Sequence, residues 1–332
     1  MNHINLALGA MNFGTVVAER AAFALLDQFV EAGGEWIDTA DCYAFWASPA
    51  GFGGQSEDVL GRWLRKSPEK RERVKLSTKF GAEPIEPARW PASRTGLADH
   101  AVRHQLEESL RRLGTDHVEL AWAHMEDRGV PPADLAATLS SLVADGHAAA
   151  VGLSNHPAWR AALVRTSAVQ AGGTPISALQ HSYSYLHPRP GTLPQGQVHR
   201  FGMLTDEHLD LAATHDLGIW AYSPLLSGAY DNSTKPLPEA FDHPGTARRL
   251  ALLDELADET GLRRGQIVLA WLAGHTPAVR PILGASKPEQ LTAALEAVTT
   301  PLPSEVRVRI DQTESLTPLG VAPSAAAAGH HR

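Results

Sequence analysis

A single cysteine, Cys42, excludes any intrachain disulfide and fits a reducing compartment. No apolar run approaches the roughly 20 residues that a membrane helix needs, so no membrane span and no membrane partner are expected. The opening stretch "MNHINLALGAMNFG" lacks the basic segment and apolar run of a secretory signal, and a cytoplasmic location is the resulting expectation. No basic stripe stands out, and the formal charge of −8 comes from interspersed acids and bases, which argues against nucleic acid as a partner. Nor does any strand-like run lead into G-x-G-x-x-G, so an open dinucleotide-binding sheet lacks its usual mark.

What is present suffices for a large core. The chain has 332 residues, 43% of them hydrophobic, an ordinary size for one α/β barrel. Eight short apolar runs read as strands: "INLAL" (4–8), "EWIDTA" (35–40), "VKLSTKF" (74–80), "VELAWAH" (118–124), "AAVGLSN" (149–155), "ISALQHS" (176–182), "GIWAYSP" (218–224) and "RPILGAS" (280–286). Helical spacing fills the intervals. Val102, Leu106, Leu110 and Leu113 line one face, as do Leu135, Leu139, Leu142 and Val143 before a stop at Gly146. Phe23, Leu26 and Val30 form a stripe ending at Gly33-Gly34, and Val59, Leu60, Trp63 and Leu64 line a shorter helix. Strands alternating with helices imply parallel pairing with right-handed crossovers. The count of eight and the missing glycine turn favour closure into a (β/α)8 TIM barrel, an α/β fold in a single domain over residues 1–318. Residues 319–332, small and polar, are expected to be a disordered tail.

In such a barrel the functional face lies where strands run into the βα loops. Polar side chains gather there: Asp38 and Tyr43 after the second run, Lys79 in the third, His124 ending the fourth, Ser154 and Asn155 the fifth, Gln180 in the sixth, Tyr222 and Ser223 in the seventh, Ser286 and Lys287 at the eighth. Each has a plain reading. Asp38 can cap a helix, Tyr43 can be a loop aromatic, Lys79 can snorkel to solvent and His124 can be a satisfied core histidine. Independent accidents would not all fall at the same end of their strands. The residue types also form a chemical unit. A phenol titrates near pH 10 and is a poor acid at neutrality. An ammonium beside it favours the phenolate, a carboxylate holds the ammonium, and a neutral imidazole can orient a carbonyl oxygen.

On these motifs the chain resembles the aldo-keto reductase family from "LALGAMNFGT" to "PILGASKPEQL". "DTADCY" is similar to its D-T/S-A-x-x-Y element, "GGQSEDVLG" to G-x-S-E-x-x-L-G, and "STKFG" to its strand-three lysine motif. "ELAWAHMED" resembles D-L-Y-x-x-H, and "VGLSN", "LQHSYSYL" and "AYSPLLSG" resemble the S-N, Q-x-x-Y-N and A-Y-S-P-L-x-x-G elements. The resemblance implies a barrel that binds NADPH, with NADH as the alternative, and a small carbonyl compound. It implies a catalytic tetrad of Asp38, Tyr43, Lys79 and His124, with Tyr43 as general acid and Lys79 lowering its pKa. Ser154, Asn155 and Gln180 would hold the nicotinamide amide, with Tyr222 stacked on the ring. Ser223, Leu225, Ser227 and Gly228 would follow the pyrophosphate, and Ser286, Lys287 and Gln290 the adenosine end. Met11, Asp38 and Gly284 complete the implied cofactor contacts.

The chain departs from the family pattern in places. Ser286 stands where an Arg is frequent, leaving Lys287 to supply positive charge as a point rather than a fork. Ala294 replaces an adenine-contacting Asn, and "LAWAHM" replaces the usual aromatics around the histidine. The loop after Tyr43 is long and carries Phe45, Trp46 and Phe52, read here as a substrate-binding aromatic wall rather than a loop packed on itself. A second insertion, 180–202, places Tyr185, His187, Arg189, His199 and Arg200 either over the pocket or in solvent. Two other functions compete. A non-catalytic cofactor-binding barrel would serve as sensor or subunit, though it would need no acid. A metal-dependent hydrolase is suggested by 16 histidines, but His124 stands alone at its strand end and no metal site is expected. Self-association is left open.

Overall fold

The computed structural model describes residues 4–193 and 199–314. The expected tail, 319–332, lies outside the described residues, as does 194–198 of the second insertion. Eight parallel strands close into a barrel in chain order: β1 Ala7–Gly9, β2 Trp36–Asp38, β3 Lys75–Phe80, β4 Leu120–Ala123, β5 Val151–Ser154, β6 Ala178–Ser182, β7 Gly218–Tyr222 and β8 Val279–Gly284. Every expected strand is present, most of them trimmed at the ends. The helices around them are α1 Glu19–Glu31, α2 Gln55–Lys66, α3 Asp99–Leu113, α4 Pro132–Ala144, α5 Ala158–Gln170, α6 Asp206–His215, α7 Pro244–Thr260, α8 Arg264–Ala273, α9 Pro288–Thr299 and α10 Ser304–Glu314. Two helices precede β8, because Gly261 turns left-handed at φ 72° and ends α7.

Strand alternation sorts side chains into two cores. Outward residues such as Leu8, Ile37, Leu76, Leu153 and Ile219 meet the apolar stripes of the helices in one large cluster. Inward residues form a second cluster of Ala7, Leu120, Trp122, Ala178, Trp220 and Ile282, with Trp36 and Tyr222 against it. Gly152 is required there: a Cβ would lie 2.4 Å from the Trp122 ring. Towards the N-terminal ends of the strands, Arg280 sits over the rings of Trp36 and Trp220 at 5.2 and 4.9 Å. Trp220 also meets Trp36 and Trp122 edge-on, at 4.9 and 5.5 Å between ring centres. The lower interior is thus packed with rings, and the polar side chains occupy the layer above.

Candidate active site

The register of the strands assembles that polar layer. Asp38 pairs with Ser77 across β2 and β3, and Ser154 with Gln180 across β5 and β6. Lys79 lies two residues beyond Ser77 and so faces the same way. Its Nζ donates to Asp38 Oδ2 at 2.6 Å, to the Thr39 carbonyl at 2.7 Å and to the Tyr43 hydroxyl at 2.8 Å. All three donors of the ammonium are therefore used, which is what a fully buried lysine requires. Asp38 is equally well held: Oδ1 accepts from Ser77 Oγ at 2.7 Å and Gln180 Nε2 at 3.2 Å.

His124 follows β4 and presents its ring to Tyr43, with centres 5.8 Å apart and planes at 78°. Burial, and then the charge of Lys79, hold its imidazole well below the ordinary value, so it is neutral at pH 7. That agrees with the expected neutral imidazole. For Tyr43, burial acts against the expected effect of Lys79. Burial pushes the phenol well above its usual value, and the Asp38 carboxylate adds to this. The ammonium of Lys79 favours phenolate, but its charge is shared with Asp38 at 2.6 Å. Tyr43 is partly exposed, so solvent moderates the shift. The consequence is a phenol that stays protonated while holding a charge-assisted hydrogen bond from Lys79.

A second group adjoins the first. Asn155 takes a left-handed turn at φ 58°, which an Asn side chain tolerates. Its amide donates to the His124 carbonyl at 2.9 Å and to Ser154 Oγ at 3.1 Å, and accepts from the Tyr222 hydroxyl at 2.8 Å. Ser154, Asn155, Gln180 and Tyr222 are thereby tied to the tetrad positions. After β7 the backbone makes left-handed turns at Ser223, Leu226 and Ser227, followed by Gly228 at φ 90°. Leu225 lies between them, and Lys235 Nζ donates to the Ser227 carbonyl at 2.9 Å. Gly284 ends β8 with open space where a Cβ would stand. Gln290 Oε1 then accepts from the backbone N–H of Ser286 at 2.9 Å and of Lys287 at 3.1 Å, capping α9. Ala294 is buried in α9. Met11 is exposed in the loop after β1.

The aromatic loop divides. Trp46 meets the Tyr43 ring edge-on with centres 6.5 Å apart, whereas Phe45 packs on Trp90 at 4.9 Å. Phe52 is exposed, and among the described residues no ring contact joins it to the phenol. In the second insertion Tyr185 neither covers the pocket nor meets solvent. It is fully buried against Trp271, with ring centres 5.6 Å apart. His187 lies near Tyr183, Arg189 pairs with Glu239 at 3.6 Å, and His199 approaches Glu126 at 4.0 Å. The Arg200 guanidinium lies 5.8 Å from the Phe201 ring.

Several neighbours of the site were not anticipated from the sequence. Ser77 was within reach, since it lies two positions before Lys79. Trp90 had no signal, arriving from a loop with no regular spacing. Cys42 brings its Sγ to 3.6 Å from His124 Nδ1. Behind the site, fully buried Glu57 accepts from Thr78 Oγ1 and pairs with Arg112 Nε at 2.7 Å. Glu83 accepts the Gly53 N–H at 2.9 Å, fastening the end of the aromatic loop, and burial raises its carboxyl to about 7.

With that geometry in view, the matches to known proteins bear on the chemistry. A profile of the Aldo/keto reductase family matches residues 5–315. The "uncharacterized oxidoreductase YrpG" of Bacillus subtilis (strain 168) is 30% identical over 314 residues, covering 91% of this chain and 89% of that protein. The norsolorinic acid reductase stcV of Emericella nidulans is 30% identical over 321 residues, with 93% and 77% covered. A 6-dehydroglucose reductase of Novosphingobium aromaticivorans is 30% identical over 281 residues, with 83% and 80% covered.

Proposed function

The chain belongs to the aldo/keto reductase family and is an NAD(P)H-dependent oxidoreductase; on that premise we propose that it reduces an aldehyde or ketone to the alcohol with Tyr43 as proton donor. One observation carries the reading: a phenol kept protonated by burial receives a 2.8 Å hydrogen bond from a lysine pinned by Asp38. A bound nicotinamide cofactor supplies the hydride. As negative charge grows on the carbonyl oxygen, Tyr43 gives up its Oη proton, and the Lys79 ammonium stabilises the phenolate left behind. The neutral imidazole of His124 faces the same space and orients the carbonyl oxygen. Run in reverse, the phenolate takes a proton from an alcohol.

The residues fit a dinucleotide. Left-handed residues at Ser223, Leu226, Ser227 and Gly228 coil the backbone after β7, a form that anion-binding loops also take. Lys287, at the N-cap of α9, offers a cationic group to a phosphate. Ser154, Asn155, Gln180 and Tyr222 stand between these and the tetrad. The lysine so placed favours NADPH over NADH as the working cofactor. Trp46 beside Tyr43, backed by Phe45 on Trp90, favours a substrate with a ring or an apolar sugar face. Among the relatives, those named for norsolorinic acid and 6-dehydroglucose suggest a secondary-metabolite intermediate or a keto sugar. A purely cofactor-binding role would not require the complete Asp38–Lys79–Tyr43 linkage.

The test is Tyr43→Phe in the full chain. With NADPH and a panel of aldehydes, ketones and sugars, turnover falls by at least about 10²-fold, while quenching of tryptophan fluorescence by NADPH is unchanged. Near-normal turnover in this variant overturns the assignment. Quenching by NADPH with no oxidation by any carbonyl compound, in the unmodified chain, supports the sensor reading instead.

A further inference from the structure

We propose that Asp41, Cys42 and His124 form a binding site for a thiophilic divalent cation such as Zn²⁺, and that filling it switches the reductase off. The histidine that stood alone in sequence does not stand alone in space. A carboxylate oxygen of Asp41, the sulfur of Cys42 and a ring nitrogen of His124 all lie within 4.8 Å of one another. Thiolate, imidazole and carboxylate are the ligands zinc takes. The sulfur and His124 Nδ1 are 3.6 Å apart. Two such ligands at tetrahedral angles on zinc stand about 3.5 Å apart, given bonds of about 2.3 and 2.0 Å. Those two are thus already spaced for a shared ion.

The state of Asp41 points to a cation rather than to packing alone. Asp41 is 3% exposed, yet its Oδ2 has no hydrogen-bond partner, an expensive state for a buried carboxylate. Its other oxygen accepts only the Cys42 N–H, at 2.6 Å. A divalent ion gives Asp41 Oδ2 the partner it lacks and binds the Cys42 sulfur as thiolate, the thiol proton passing to solvent. The apolar neighbours packed around Cys42 are Ala40, Ala82 and Met125.

The effect on the reaction follows from position and rests on the role proposed for His124. Drawing the Asp41 carboxylate onto the ion pulls it from the Cys42 N–H and shifts the turn that carries Tyr43, the next residue. The His124 ring is held through Nδ1 and can no longer settle against a carbonyl oxygen. Three protein ligands leave a fourth position for water.

Cd²⁺ is the probe, because its thiolate bond gives an ultraviolet charge-transfer band and the chain has one cysteine to produce it. Titrating the full chain, freed of metal by chelator, should give a band that saturates at one equivalent. The band should vanish in Cys42→Ala and in Cys42→Ser, two variants of different volume, and need more metal in Asp41→Asn. Zn²⁺ should displace it, lower turnover at least tenfold and release the enzyme on chelation. In Cys42→Ala, turnover with Zn²⁺ should match that variant's own metal-free rate. Absence of the band, or its persistence without Cys42, overturns the site. A saturated band with undiminished turnover overturns the switch. The band is read without substrate, so failure of the reductase reading leaves this test standing.

Discussion

Replacing Arg112 with leucine tests whether a buried charge behind the barrel wall holds strand β3 in place. Glu57 on α2 is fully buried, and its partners are Thr78 Oγ1 and the Arg112 guanidinium at 2.7 Å. Thr78 immediately precedes Lys79 in β3, so Glu57 grips the outer side of the strand whose inner side carries the ammonium. Arg112→Leu leaves a carboxylate enclosed with one hydroxyl. A charge pair near 4 Å is worth about 4 kcal/mol at the effective dielectric of partly buried sites, and breaking buried pairs costs about 3–5 kcal/mol. Against total stabilities of about 5–15 kcal/mol, that is a large fraction. Urea unfolding followed by tryptophan fluorescence should show a loss of about 3–5 kcal/mol. Adding Glu57→Gln should recover part of it by removing the stranded charge, and Arg112→Lys should cost less than Arg112→Leu. A change under about 0.5 kcal/mol, the range of ordinary surface substitutions, would refute the reasoning, as would no recovery in the double variant.

Glu83→Gln should change the pH dependence of stability. The folded carboxyl titrates at about 7 rather than at its ordinary 4.5, so its stabilising contribution is full below about 4.5 and lost as pH rises through about 7. The Gln variant, neutral throughout and able to accept the Gly53 N–H, should therefore gain on the parent between pH 5 and pH 8; calorimetry showing a constant difference would count against this. Trp90→Ala should loosen Phe45 and, through it, Trp46. An aromatic contact of about 0.5–1.5 kcal/mol corresponds to a rise in KM of about two- to tenfold for ring-bearing carbonyl compounds. Short aldehydes should be little affected, and an equal effect on both classes would remove the aromatic wall from the account of specificity.

Much of the architecture could be read from the chain because local and global signals agree. Each strand is a short apolar run, and each helix between strands shows an apolar stripe at helical spacing. Asp38, Lys79 and His124 were legible as strand-end residues, and their joining follows from register alone. What escaped reading depends on contacts that no spacing encodes. Trp90 reaches Phe45 from an irregular loop. Tyr185 looked like a rim residue inside an insertion and is a core residue against Trp271. The upward push on the Tyr43 phenol was not legible because residue types give the sign of the ammonium's effect but not the depth of burial or the distance at which Asp38 balances it. Cys42 looked incidental because its partner, His124, is 82 positions away.

The stack of Trp36, Trp122, Trp220 and Arg280 has a bearing on traffic. Among the described residues it fills one end of the cylinder with rings, so a molecule that travels the barrel axis to Tyr43 comes from the opposite mouth. A handful of indoles far from the phenol thus sets the side of approach.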